Sequence, residues 1–153
     1  MTTVQREHQQ GHLRTSAGLA SELRPSVMRL ARRLRQVRDE RDELNPNQLS
    51  VLAVLVNHGD LPIGELAALE KVQPPSMTRI VNGLEERGLV ARQPDATDRR
   101  SSRVHLCDSG RQIVLANRRR RDQWLAIRLA ELDAAEREVL RLCIPILEKV
   151  NHA

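Results

Sequence analysis

The feature that most constrains the fold of this chain is its near lack of aromatic side chains: there is one Trp, Trp124, and no Phe or Tyr. The core must then be built from Leu, Val, Ile and Ala, which suit packed helices better than a β-sandwich. The 153 residues, of which 40% are hydrophobic, suffice for one domain with a sizeable core. The composition therefore favours a single, mainly helical domain.

The chain is basic, with a formal net charge of +5 and a pI near 10.4. Of its 25 basic residues only Lys71 and Lys149 are lysines, and the other 23 are arginines. Arginine makes bidentate contacts with phosphates and base edges, which favours a nucleic-acid partner. The base composition of a genome also produces an excess of arginine, so the charge alone leaves both interpretations open.

The sequence predicts a reduced, cytoplasmic protein. Cys107 and Cys143 are far apart and form no CxxC motif, so two free thiols are expected. The polar N-terminus lacks the apolar segment of a signal peptide. The sequence contains no run of about 18 apolar residues, so neither a membrane span nor a membrane partner is expected.

A long amphipathic helix is predicted near the N-terminus, within residues 12–44. From Leu19 onward apolar residues recur at alternating steps of four and three, namely at Leu23, Val27, Leu30, Leu34 and Val37. Such a stripe is too apolar for water and too narrow for a fully buried helix. We therefore expect it to pair with another long helix.

Two short helices joined by a turn are predicted in the middle of the chain, after a helix that Asn45-Pro46 begins and Gly59 ends. The first runs from about Pro62 to Lys71. The second begins at Pro74-Pro75, which can open a helix but not continue one, and ends at Arg87-Gly88. This is a helix-turn-helix arrangement.

A β-hairpin and two long helices are predicted to follow. Residues 89–92 and 102–106 have the pattern of strands, and the segment between them is polar and turn-forming. One long helix should extend from Asp108 to about Ala130, and a last one should begin after Asp133. Pro145 should kink the last helix.

The order and spacing of these motifs resemble the MarR family of bacterial transcriptional regulators. The matching segments are Gly64-Glu65-Leu66-Ala67, residues 76–81, residues 84–92, residues 95–101, Val104-His105-Leu106 and Gly110. The resemblance implies a mainly α fold with a small β-hairpin wing, in which residues 1–153 form one domain. A winged helix-turn-helix lobe (45–107) would bind DNA, and helices within 12–44 and 108–151 would form a homodimer.

The DNA-contacting residues follow from the helical pattern together with the resemblance. In the second helix of the motif Pro75, Ser76, Thr78, Arg79 and Asn82 lie off the apolar stripe, where they can reach the major groove. Short hydroxyl side chains near a helix start are also common caps, which is the alternative for Ser76 and Thr78. In the wing, the resemblance implies that Arg100, beside Arg99, enters the minor groove and that Asp98 braces the hairpin.

Other functions have weaker support in the sequence. His8, His12, His58, His105 and His152 form no metal-ligand cluster, and no catalytic motif or cofactor site is evident, so neither a cofactor nor an enzyme is expected. The expected function is that of a homodimeric repressor that binds a pseudo-palindromic operator. Release by a small-molecule effector is an additional possibility, and the sequence does not identify a pocket for it. The alternative is a helical dimer that binds proteins and no longer contacts DNA.

Two further residue groups have alternative interpretations. Cys107 replaces the Thr that the family usually has after the second wing strand, and Cys is a poor N-cap. We therefore expect either that Asp108 takes over the cap or that the next helix begins one residue later. A structural thiol is the first interpretation of Cys107 and an oxidant sensor the alternative. The run Arg118-Arg119-Arg120-Arg121 is either a solvated or inter-subunit face or a second phosphate contact.

Overall fold

The computed structural model describes residues 13–37, 44–94 and 102–152. These residues form two compact units, one containing the first helix together with the chain from Gln123 onward, the other extending from the second helix to Asp122. The helices are α1 (Ser16–Gln36), α2 (Pro46–His58), α3 (Ile63–Leu69), α4 (Pro74–Glu85), α5 (Asp108–Ala130) and α6 (Ala134–Asn151). The strands are β1 (Leu61–Pro62), β2 (Val90–Pro94) and β3 (Ser102–Leu106). The fold is thus mainly α with a small β-wing.

Helix α2 begins and ends where the sequence predicts. The Asn45 side chain accepts from the backbone of Gln48, and the Gln48 side chain accepts from the backbone of Asn45, each at 3.0 Å. This reciprocal capping box satisfies two of the N–H groups that a helix start leaves unpaired. At the other end Gly59 adopts a φ of 77°, a left-handed conformation that glycine tolerates without steric cost.

The turn between α3 and α4 is built on a lysine. Lys71 has a φ of 53°, in the left-handed region where most residues are strained. The N–H of Val72 donates to the carbonyl of Ala67 at 3.0 Å, so α3 ends in the manner of a Schellman motif. The bend allows α4 to begin three residues later, at Pro74.

The sheet has three antiparallel strands in the order β1-β3-β2. The hairpin pairs Val90 with Leu106 and Arg92 with Val104, which confirms the two predicted strands, although the first begins at Val90 rather than Leu89. Strand β1, which pairs Leu61 with Val104, was not predicted. The helix expected from Pro62 therefore begins at Ile63 instead, because Pro62 belongs to the strand.

One apolar cluster holds the second unit together. It joins residues of α2, α3, α4, the sheet and α5, and its fully buried members include Leu52, Leu66, Met77, Val81 and Val104. No aromatic residue takes part among the described positions of this cluster, as the composition suggests.

Helix α5 begins against this core at a glycine. A Cβ on Gly110 would lie 2.4 Å from the backbone oxygen of Leu89 and 2.8 Å from a methyl group of Leu106. Because backbone cannot move aside as a flexible side chain can, only glycine fits this contact. Gly110 thereby sets the distance between the start of α5 and the wing.

The two helices of the other unit carry large exposed apolar side chains. No residue of α6, all of which the structure describes, is buried. Its exposed apolar residues are Val139, Leu140, Leu142, Ile144, Ile146, Leu147 and Val150, and those of α1 are Leu19, Leu23, Val27, Met28 and Leu30. Yet no described helix is long and apolar enough to cross a membrane.

Candidate nucleic-acid interface

Helix α4 has one buried and one exposed side, as its sequence predicts. Met77, Val81 and Leu84 have no exposed surface, and they fix the helix against the core. The opposite side carries all the residues predicted to contact DNA from this helix, which are Pro75, Ser76, Thr78, Arg79 and Asn82, and each is exposed. The helix therefore presents a continuous polar surface.

The start of α4 needs no side-chain cap. Gln73 at the N-cap has an extended backbone and makes no side-chain hydrogen bond to the helix. Pro74 and Pro75 have no N–H, and the N–H groups of Ser76 and Met77 donate to the carbonyl of Gln73. The Thr78 hydroxyl is not a cap either. It donates to the carbonyl of Pro74 at 3.0 Å, one helical turn back, and this leaves its lone pairs free to accept.

Arg79 has a free guanidinium group. It is the one cation in the N-terminal half of α4. It is exposed and makes no hydrogen bond or ion pair with any residue in the described ranges. A free guanidinium on a protruding helix can make the bidentate contact that guanine accepts.

Asn82 is in a different environment, because it contacts the first wing strand. The guanidinium of Arg92, in β2, donates through Nη2 to Oδ1 of Asn82. The same group lies 2.6 Å from the Glu85 carboxylate, measured from Nη1 to Oε2. The backbone N–H of Arg92 also donates to Oε1 of Glu85, at 3.1 Å. Asn82 and Glu85, one turn apart on α4, are thus both joined to the first wing strand.

The base of the wing is attached to the core on its other side. His105, in β3, lies 3.1 Å through Nδ1 from both carboxylate oxygens of Asp60. Arg103 donates to the backbone carbonyl of Asp60. The wing residues predicted to contact DNA, Asp98, Arg99 and Arg100, lie outside the described residues.

Sequence analysis did not single out Glu85, Arg92 or Asp60. One signal was available for Glu85, because it follows Asn82 by three positions and therefore lies on the same side of α4. No local pattern joins Asp60 to His105, which are 45 residues apart.

Cys107 lies just before α5, and the arginine run of residues 118–121 lies within it. Helix α5 begins at Asp108, as predicted, and half-buried Cys107 donates its backbone N–H to Leu89 at 3.1 Å. Arg118 donates to Asn57 at 2.8 Å. Among the residues the structure describes, no group of His, Cys, Asp and Glu could hold a metal ion, while His8 and His12 lie outside them.

Comparison with known proteins decides the family. The MarR family model matches residues 44–102, from the start of α2 into β3. An HTH-type transcriptional regulator of Mycobacterium tuberculosis is 45% identical over 129 residues, which cover 84% of this chain and 90% of the relative. The chain belongs to the MarR family.

Other members of the family agree with the fold and with a regulatory role. The MarR family protein of Bacillus stearothermophilus has a solved structure with a TM-score of 0.76 and 28% identity, covering 92% of this chain and 97% of its own. The repressor MdtR of Bacillus subtilis is 37% identical over 83 residues, 52% of this chain and 54% of MdtR. This MarR protein is accordingly a DNA-binding transcriptional regulator with a winged helix-turn-helix, and its relatives are regulators rather than enzymes.

Proposed function

We propose that this MarR protein is a homodimeric repressor that places α4 in the major groove of a pseudo-palindromic operator. The observation that carries the proposal is the exposed polar side of α4, on which Arg79 has no partner among the described residues. Recognition helices enter the major groove with their N-terminal half, where Pro75, Ser76, Thr78 and Arg79 lie. Asn82 follows one turn later.

The dimer would be formed by the terminal helices. Leu142 and Ile146, one turn apart on α6, are 62% and 61% exposed in the single chain, and Val27 on α1 is 45% exposed. Large apolar side chains exposed in such number on two helices are typical of an interface rather than of solvated helices. In this proposal the helices within 12–44 and 108–151 serve dimerisation, and residues 45–107 bind DNA.

Two-fold symmetry determines the form of the operator. Two copies of α4 would contact half-sites about one helical turn, or ~10 base pairs, apart. The wing of each copy would lie over the adjacent minor groove, with Arg100, beside Arg99, entering the groove and Asp98 bracing the hairpin.

The proposal also includes a cytoplasmic location and release of the repressor from DNA by a small molecule. The name of MdtR supports repression, since that relative is called a repressor. Trp124 is the one aromatic residue available to an effector, and the Arg128 guanidinium already lies 4.3 Å from its ring centroid. An anionic or aromatic effector would compete for this cation–π pair.

The proposal is tested with the purified full-length protein and DNA fragments from both sides of its own gene. We expect one fragment to bind specifically, with a footprint of two symmetric half-sites. A single asymmetric half-site would contradict the dimeric arrangement. Equal binding to every fragment would contradict sequence-specific recognition.

A further inference from the structure

The contact between Arg92 and Asn82 restricts what Asn82 can recognise. A carboxamide has one end that accepts, Oδ1, and one end that donates, the Nδ2 amino group. A guanidinium has donors alone, so Oδ1 is the one end of Asn82 that can face Arg92. The orientation of the amide therefore follows from the chemistry of the two groups.

Glu85 holds Arg92 in place for this contact. Its carboxylate accepts from the backbone N–H of Arg92 through Oε1 and from Nη1 through Oε2. The guanidinium is thus held by one hydrogen bond to Glu85 and by another, from Nη2, to Asn82. The side chains of Arg92 and Glu85 are 30% and 36% exposed, so the pair is partly shielded from water. A charge-assisted hydrogen bond of this kind is stronger than a neutral one.

We propose that Arg92, held by Glu85, orients the Asn82 carboxamide so that Asn82 contacts a guanine through its amino group and discriminates against adenine. Guanine presents two acceptors in the major groove, N7 and O6. Adenine presents one acceptor and one donor, and its usual contact with Asn needs both ends of the amide. One lone pair of Oδ1 already accepts from Arg92, whereas Nδ2 donates to no residue in the described ranges. The amino group is therefore the end of the amide that stays fully available to a base.

Arg92 is thus a positioning residue, and Asn82 determines specificity at one base pair of each half-site. This inference rests on the proposed function, because it assumes that α4 lies in the major groove. It assigns a role to Glu85 and Arg92 that does not depend on their touching DNA.

The test selects binding sites from a random double-stranded library with the full-length protein and its variants. Asn82→Ala should abolish the base preference at one position of each half-site. At that position Arg92→Met should raise the proportion of adenine relative to guanine about fivefold, which is the contribution of one hydrogen bond. In the Asn82→Ala background, Arg92→Met should change nothing further at this position.

Arg92→Lys separates orientation from charge. Lysine keeps the positive charge but lacks the planar fork that contacts Glu85 and Asn82 together. It should relax the guanine preference as Arg92→Met does, while binding to random DNA stays as in the unmodified protein. Thermal unfolding followed by circular dichroism verifies that each variant is folded, and Arg92→Lys serves alone if Arg92→Met is not.

The possible outcomes are distinct. If the unmodified protein selects a sequence but Asn82→Ala alters no position, Asn82 contacts phosphate or nothing, and the inference is wrong. It is equally wrong if both Arg92 variants leave the ratio of adenine to guanine unchanged. If the unmodified protein selects no sequence at all, the proposed function and this inference are both overturned.

Discussion

Arg79 and Asn82 differ in what surrounds them, although both lie on the exposed side of α4. The Arg79 guanidinium is free among the described residues, whereas Asn82 is held by Arg92. A free arginine can adapt its rotamer to DNA and loses side-chain entropy on binding, while an oriented amide is already in place. We therefore expect both residues to contribute to base recognition, Arg79 through a contact that is ordered on binding and Asn82 through an amide that is oriented beforehand.

Arg79→Ala should weaken operator binding by about 1–3 kcal/mol, the contribution of one bidentate contact with a base. Binding to random DNA should fall much less, because the other phosphate contacts remain. Arg79→Lys is the matched control, since it keeps the charge and loses the bidentate geometry. Titrations of both DNAs at two salt concentrations measure the effect, and parallel losses on both would show a phosphate contact.

Gly110→Ala should destabilise the fold by about 1–3 kcal/mol, because the new Cβ would overlap the backbone oxygen of Leu89. Gly64→Ala is the control, since an added Cβ there meets nothing within 4 Å and alanine favours a helix. Urea unfolding at a fixed protein concentration measures both. Equal stability of the two variants would contradict the close approach.

At the scale of elements, the turn between α3 and α4 contains a strained backbone conformation. Lys71 occupies a left-handed conformation that costs a residue with a Cβ roughly 1 kcal/mol or more. The turn persists because α3 and α4 are both fixed by buried residues, Leu66 and Ala67 on one side and Met77 on the other. Tertiary packing thus outweighs local preference here.

Lys71→Gly should stabilise the protein by about 0.5–1 kcal/mol, since glycine adopts a positive φ without steric cost. Lys71→Ala removes the same side chain but keeps the Cβ, so its stability should stay near that of the unmodified protein. A rise in stability of both variants would mean that the lysine charge, not the backbone, is unfavourable. Thermal and urea unfolding distinguish these cases.

At the scale of the whole molecule, solvent exposure is unevenly distributed. The apolar residues of α2, α3 and α4 are largely buried within their own unit, whereas those of α6 remain exposed along its full length. A chain with such a surface gains free energy by association, because each buried methylene contributes about 0.8 kcal/mol.

Ile146→Glu should convert the dimer to a monomer, or weaken the dimer at least a hundredfold, because symmetry places two carboxylates in the apolar interface. Leu69→Glu is the control, because Leu69 is also a large apolar residue, 48% exposed, but lies on α3 and outside the proposed dimer interface. Sedimentation at micromolar concentration measures the oligomeric state. A stable folded monomer of the unmodified protein would refute the dimer.

The sequence predicts most of this fold because its helix ends carry explicit signals. Asn45 with Gln48, Asp133 with Glu136, and Gly88 all have the caps and dihedral angles that their residue types predict. Strand β1 was not predicted because it has two residues, too few to show the alternation of apolar and polar side chains that marks a strand.

The contacts of the candidate site were predictable only in part. The exposed side of α4 follows from helical spacing, but the contact of Asn82 with Arg92 depends on how the hairpin packs against the helix. The pairing of Asp60 with His105 likewise depends on tertiary structure, since neither residue lies in a local motif that includes the other.

The pairing of β1 with β3 has a consequence for how the chain is made. Leu61 precedes the helix-turn-helix and Val104 follows it, so synthesis on the ribosome completes α3 and α4 before their closing strand exists. Until β3 emerges, apolar residues such as Leu66 and Val81 lack part of their packing partners. A nascent chain that ends at Pro94 would thus contain the entire helix-turn-helix sequence and still be unable to close its core, which makes it a substrate for chaperones rather than a small DNA-binding domain.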